Sequence, residues 1–292
     1  MKTAWVFPGQ GSQAVGMGSD LLARSETKAK LEQADQILGW SVVDLCQGEA
    51  ETLANTLYTQ PCLYVVESLL VDAVKAQGQQ PDLVAGHSLG EYVALYAAHV
   101  FDFASGLQLV QRRAELMAQA SDGMMAALIG FNQEQLEEAL RSIPDVVLAN
   151  DNNSGQVVIS GTPAAVEAVL GQVKSKRAVK LNVSGAFHSP LMADAATDFQ
   201  AVLDQIPFQS AQVPVLSNVD PTPAQDAAIL KDRLTQQMTG SVRWREISLQ
   251  LAQLGMERVI EIGPGKVLTG LIKRTCPDLK LENISTITEI GG

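Results

Sequence analysis

Apolar positions along the chain follow two alternating rhythms. Thr3 to Phe7 is a short apolar run stopped by Pro8-Gly9, and it predicts a strand. Helical spacing then dominates to about Gln77, punctuated at Gly39 and Gly48. Leu63, Val66, Glu67, Leu70 and Val74 recur at helical spacing, and Pro61 suits the first turn of that helix. A second strand, Asp82 to Ala85, runs into Gly86-His87-Ser88-Leu89-Gly90 and a helix through Tyr92, Leu95 and Tyr96. Another helix covers about Ala104 to Ala120. Strands alternating with helices predict a parallel sheet covered on both faces.

The middle of the chain changes rhythm. Strands are expected at Met124 to Ile129, Val146 to Ala149, Gln156 to Ser160 and Ala178 to Val183, with a turn at residues 150–155. Helices are expected at Gln133 to Arg141 and from Thr162-Pro163 through Val173, with Thr162 as cap and Pro163 at the first helical position. The order βαββαβ is that of ferredoxin-like domains. It predicts a small domain, residues 123–187, inserted into a larger α/β domain made of 1–122 and 188–292. In the larger domain, a helix from Ser189 to about Gln205 precedes a strand, Val213 to Leu216. Helices at Asp226 to Met238 and Trp244 to Leu254, a strand at Arg258 to Ile262 and a last helix after Gly263-Pro264-Gly265-Lys266 complete the pattern.

Composition narrows the function. The 292 residues carry a net charge of −11, which excludes the basic footprint of a nucleic-acid binder and general attraction to anionic membranes. With 46% apolar and 18% charged residues the chain buries a sizeable core. Cys46, Cys62 and Cys276 are too few and too scattered for a disulfide framework or a zinc site. No membrane-length apolar run and no signal peptide is legible, so a cytoplasmic protein is expected.

Gly86-His87-Ser88-Leu89-Gly90 fits Gly-x-Ser-x-Gly between a strand and a helix, the turn that lifts a serine Oγ above a sheet at the positive end of a helix. Such a serine needs a base, and the chain holds three histidines. His87 is Ser88's neighbour and points elsewhere. His99 lies ~16 Å along the following helix, out of reach. His188, at the junction where the small domain returns to the large one, remains. No acidic motif stands out as its orienting partner. Arg113 lies on the apolar stripe of its helix, marked by Val110, Ala114 and Met117, whereas Arg112 lies to one side. A core-facing arginine must be paired, either with a structural carboxylate or with a substrate carboxylate gripped in its fork. Two glycine-rich segments are decoys. Residues 7–14 formally fit a dinucleotide fingerprint, but the region where an acidic strand end belongs, Glu26 to Leu38, reads as helix. Presenting backbone N–H groups to an oxyanion near Ser88 suits that loop better. Gly263-Pro264-Gly265-Lys266-Val267 lacks the phosphate-loop spacing.

Five segments in order carry a family resemblance: Phe-Pro-Gly-Gln-Gly-Ser-Gln at 7–13, Gly-His-Ser-Leu-Gly-Glu at 86–91, Gln-Val-Val-Ile-Ser-Gly at 156–161, Ala-Phe-His-Ser at 186–189 and Gly-Pro-Gly-Lys-Val-Leu at 263–268. Over nearly its whole length the chain resembles the malonyl-CoA:acyl carrier protein transacylases. The resemblance implies a hydrolase-like α/β core with a ferredoxin-like insert, and a ping-pong transfer of malonyl through a serine ester, with no metal or other cofactor. It implies Ser88 as nucleophile, His188 as base, Arg113 on the malonyl carboxylate and the backbone N–H groups of Gln10 and Leu89 as oxyanion hole. It further implies Asn152 near the site, although Asn153 and Ser154 replace the family's usual following residues. Phe187 beside His188 looks like a malonyl rather than a methylmalonyl pattern. A carbonyl near Val242-Arg243-Trp244 is implied as the histidine's orienter, which singles out Arg243.

The implied partner is holo-acyl carrier protein and the implied state a monomer. The free-standing chain points to dissociated fatty-acid synthesis, with polyketide synthesis left open. Carrier proteins are typically acidic, so a chain of charge −11 needs a local basic patch for docking. The densest is Lys174, Lys176, Arg177 and Lys180, with Lys273 and Arg274 second. The competing expectation is a serine hydrolase or thioesterase with water as acceptor, which has no need of a buried Arg113. A catalytically silent scaffold is a third, against which the intact Ser88, His188 and Arg113 set argues.

Overall fold

The computed structural model describes residues 1–183 and 185–290. Residues 184, 291 and 292, which the expected domain spans include, lie outside the described residues. Among the described residues nine strands form two sheets: β1 (Thr3–Phe7), β2 (Leu83–Gly86), β3 (Met124–Phe131), β4 (Val146–Asn153), β5 (Gln156–Gly161), β6 (Ser175–Lys180), β7 (Val215–Leu216), β8 (Arg258–Ile262) and β9 (Lys280–Ile284). The first sheet has the order β7-β2-β1-β8-β9, all parallel. The second has the order β4-β5-β3-β6, all antiparallel, the ferredoxin-like arrangement expected for βαββαβ.

β1 is central: Ala4, Trp5, Val6 and Phe7 are apolar and Thr3 is buried with them, so the strand is covered on both faces. Its alternate side chains feed two cores. Trp5 and Phe7 pack with the helix Thr56–Ala76. Ala4 and Val6 pack with Trp244, Ile247 and Leu251 of the helix Trp244–Gln253 and with Leu268 and Ile272 of the helix Val267–Thr275. β3 divides the same way. Ala126 and Leu128 face the helices Gln133–Ser142 and Pro163–Gln172, while Met125 and Ala127 join the main core. β4 is also stitched to the segment that precedes the helix Trp244–Gln253: Asp151 N–H donates to the Val242 carbonyl at 2.9 Å, and Val242 N–H donates to the Ala149 carbonyl at 2.8 Å.

Four local expectations change. Residues 150–153 continue β4 instead of turning, because Asn150 pairs with Val242, Arg245 holds Asp151 in an ion pair, and Asn153 Oδ1 receives the Gly155 N–H. The turn shrinks to Ser154-Gly155. The last strand of that sheet spans Ser175–Lys180 rather than Ala178 to Val183; its lysines suit an edge strand exposed to water. β9, a second edge strand of mixed polarity, has no apolar run to announce it. Pro61 lies inside the helix Thr56–Ala76, not in its first turn, because Asn55 caps the helix through a bond from Leu57 N–H at 3.0 Å. No helix among the described residues is long and apolar enough to cross a membrane.

Candidate active site

The C-terminal ends of β1 and β2 meet the N-terminus of the helix Gly90–Ala97, and Ser88 stands in the turn that joins β2 to it. Its φ is +52°, a left-handed conformation that costs a non-glycine residue roughly 1–2 kcal/mol. The flanking glycines are obligatory. A Cβ on Gly86 would lie 1.9 Å from the Gly90 carbonyl carbon, and one on Gly90 2.0 Å from the Phe7 oxygen. Gly9 brings the first loop equally close, since a Cβ there would lie 2.4 Å from the His87 oxygen. Gln10 follows it, its side chain tied to Thr56 Oγ1 at 2.9 Å. The backbone N–H groups of Gln10 and Leu89 find no acceptor among the described residues.

Ser88 Oγ lies 2.7 Å from His188 Nε2. The other ring nitrogen, Nδ1, faces two carbonyls, Gln237 O at 3.0 Å and Gly240 O at 3.2 Å. Carbonyls only accept, so we assign the proton to Nδ1 and leave Nε2 as the lone pair that receives the serine hydroxyl. His188 is 4% exposed. Burial, and after it the Arg113 charge, pushes its pKa down from the usual 6.5 to about 3, so the imidazole is neutral at pH 7.

Arg113 projects from the helix Phe103–Gln119, which Asp102 caps through Ser105 N–H at 2.8 Å. It is 1% exposed, as its place on the apolar stripe implies, whereas Arg112 pairs with Glu115 nearer the surface. Its partners are neutral. Nη1 donates to Gln60 Oε1 at 2.5 Å, and Nη2 donates to Gln237 Oε1 at 3.3 Å and to Ser88 Oγ at 3.0 Å. The guanidinium also lies over the Tyr92 ring, 5.5 Å from its centroid. Among the described residues no carboxylate comes within ion-pair distance of it. The structural-carboxylate alternative is therefore not what this side chain adopts.

Other expected residues are placed less directly. Asn152 is buried on β4, and its Oδ1 lies 2.9 Å from His87 Nε2, so it reaches the serine turn through His87. Phe187 is buried in the main core next to His188. Arg243 does not orient the histidine. Its N–H donates to the Asn218 carbonyl at 3.1 Å and its guanidinium pairs with Glu246; the orienting carbonyls are those of Gln237 and Gly240, just upstream. The basic cluster is exposed but split. Along β6, Lys176 and Lys180 share one face, where Lys180 pairs with Glu167, and Arg177 shares the opposite face with Val179. Lys273 and Arg274 are exposed in the last turn of their helix.

Gln60, Gln237, Asn218 and Glu91 complete the site and are not among the residues expected. Gln237 follows Leu230 and Leu234 at helical spacing, a polar residue on a core-facing stripe, which is a readable signal. Gln60 likewise interrupts a buried helical face. Asn218 follows a two-residue strand and carries no such pattern. Among the described residues no group of three or more His, Cys, Asp or Glu is placed to hold a metal ion.

Residues 4–291 match the acyl transferase domain family. A malonyl CoA-acyl carrier protein transacylase of Synechocystis sp. is 62% identical over 291 residues, covering 100% of this chain and 99% of that protein. The crystal structure of the Synechocystis sp. PCC 6803 malonyl-CoA:ACP transacylase matches with a TM-score of 0.98 at 62% identity, covering 99% of both chains. A type II PKS acyl-carrier protein in complex with its malonyl-transacylase provides a further match, with a TM-score of 0.93 at 37% identity over 99% of this chain and 98% of that one. The seated serine and histidine, the buried arginine without a carboxylate and these likenesses lead to one assignment: the chain belongs to the acyl transferase domain family.

Proposed function

We propose that the protein transfers malonyl from malonyl-CoA to the phosphopantetheine thiol of an acyl carrier protein, by a ping-pong route through a malonyl-serine ester. The observation that carries this reading is the buried Arg113 fork, which donates to Ser88 Oγ and to neutral amides only. A desolvated guanidinium with no anionic partner favours an acyl donor that brings its own carboxylate. A simple hydrolase has no need of such a group.

His188 Nε2 removes the Ser88 proton as Oγ attacks the thioester carbon. The negative charge that develops on the thioester oxygen is received by the N–H groups of Gln10 and Leu89. The C–S bond breaks, the proton passes from His188 to the CoA thiolate, and the malonyl-serine ester remains. The carrier's thiol then gives its proton to His188 and attacks the ester carbon, the bond to Ser88 Oγ breaks, and His188 returns the proton to Ser88 Oγ. Phe187 closes the space beside His188 against an α-methyl branch. The small domain, residues 123–187, forms one wall of the cleft, supported by a sheet whose strands all lie between Met124 and Lys180. Malonyl-carrier then serves as extender unit in fatty-acid synthesis. Three free buried thiols support a cytoplasmic setting. The carrier docks on exposed basic side chains on and beside the edge strand β6, drawn from Lys174, Lys176, Arg177 and Lys180.

Incubation with malonyl-CoA and a holo-carrier, followed by intact-mass measurement of the carrier, tests the reading. A malonylated carrier is expected. Free malonate with an unmodified carrier would instead establish the hydrolase.

A further inference from the structure

Glu91 follows the serine turn by three residues, in the first turn of the helix Gly90–Ala97, and is 1% exposed. The acid–base chemistry above does not use it. One of its oxygens, Oε2, receives two N–H donors: Asn218 N–H at 3.1 Å and Gln237 Nε2 at 2.8 Å. Among the described residues no lysine or arginine is in ion-pair distance of it. Two arms lead from this oxygen into the site.

The first arm is Asn218. Its side-chain Oδ1 accepts the Ser88 N–H at 2.7 Å and its Nδ2 donates to the Gly86 carbonyl at 2.6 Å. One amide thus spans the strained turn from end to end. The second arm is Gln237. Its Nε2 donates to Glu91 and also to the Ser88 carbonyl at 2.9 Å. Both partners are acceptors, so the NH2 end of this amide must face them, and the oxygen end is turned toward Arg113 Nη2. A reversed amide would point an NH2 at a guanidinium, donor against donor. The carboxylate, together with the Ser88 carbonyl, therefore decides which end of Gln237 the arginine meets.

We propose that Glu91 is a positioning residue: its Oε2, acting with the Ser88 carbonyl, sets the polarity of the Gln237 amide toward Arg113 and holds Asn218 against the Ser88 turn, so that donor selectivity and serine reactivity share one buried acceptor. This rests on the acyl-transfer reading for its selectivity half only. The serine half can be read without any acyl-CoA, from the rate at which a fluorophosphonate labels Ser88.

The test uses the full chain with Glu91→Met, close in size but without an acceptor, and Glu91→Gln, which keeps one. Rates are taken on folded protein by intact mass, for malonyl-CoA, acetyl-CoA and the fluorophosphonate. Glu91→Met should lower both the malonyl-to-acetyl loading ratio and the fluorophosphonate rate by at least about tenfold. Glu91→Gln should recover most of each. In a Gln237→Met background, Glu91→Met should leave the ratio where it is, since no amide remains to be oriented. Should Glu91→Met fail to fold, Gln237→Met alone carries the test, with the ratio again falling. A folded Glu91→Met with the parent's ratio and labelling rate overturns the proposal, as does a stability loss with unchanged kinetics. If the parent itself takes up no malonyl, the acyl-transfer reading fails instead, and the fluorophosphonate rate still decides the serine arm.

Discussion

Arg113 Nη2 donates to Ser88 Oγ at 3.0 Å while the same oxygen sits 2.7 Å from His188 Nε2. The serine hydroxyl therefore has a defined direction. It accepts from the guanidinium and donates to the imidazole. An incoming carboxylate that takes the guanidinium leaves the hydroxyl to the histidine alone, so substrate recognition and deprotonation of the serine converge on one atom.

The histidine's environment fixes a pH dependence. Its pKa is pushed from 6.5 to about 3 by burial and the Arg113 charge, so Nε2 stays available as a base far below neutrality. The rate of malonyl loading should be flat from about pH 8 to about pH 5, without the limb an ordinary histidine gives. A limb near 6.5 in single-turnover loading would contradict the placement of His188. The linked stability effect has a definite sign. Between about 3 and 6.5 the unfolded chain binds the proton and the native site does not, so this group lowers stability as pH falls through that window. Its share of the slope is at most about 1.4 kcal/mol per pH unit.

The left-handed backbone at Ser88 gives a second expectation. Ser88→Gly and Ser88→Ala both remove the hydroxyl, but only glycine accepts a φ of +52° without strain. Ser88→Gly should exceed Ser88→Ala in stability by about 0.5–1 kcal/mol in denaturant melts, after glycine's larger unfolded-state entropy is subtracted. Equal or reversed stabilities would show that the turn is not strained.

A third concerns the carrier. Arg177 shares its strand face with Val179, which packs on the main core, whereas Lys180 faces outward to Glu167. Arg177→Glu should raise the carrier's KM several-fold, in line with loss of one charge contact at a docking surface, and leave the malonyl-loading rate unchanged. A KM that stays put would remove this face from the docking surface.

Ser88 is legible in the sequence because the chemistry of the turn writes itself as glycines: Gly86 and Gly90 have no room for a Cβ. Arg113 is legible because a charge on an apolar stripe has to be explained. Gln237 could have been found by the same logic, from Leu230 and Leu234. The error at Arg243 has a physical origin. The groups that orient His188 are backbone carbonyls, which every residue carries, so side-chain identity does not separate Gly240 from Arg243. Asn218 is set in place by a tertiary contact with Glu91 and with Ser88 N–H, which local pattern does not encode. The fold follows the same division. β1 is continuous in apolar residues and reads plainly. β6, β9 and the polar end of β4 owe their form to edge position and to pairing with Val242.

The most direct measurement is covalent loading by intact mass, with malonyl-CoA and acetyl-CoA offered to the parent, Ser88→Ala and Arg113→Ala. The parent should gain one malonyl group and Ser88→Ala none. Arg113→Ala should lose malonyl loading by on the order of 10²-fold, with acetyl loading spared a comparable fall. An equal adduct on Ser88→Ala, or an Arg113→Ala protein that still loads malonyl like the parent, would contradict a serine nucleophile selected by a buried arginine.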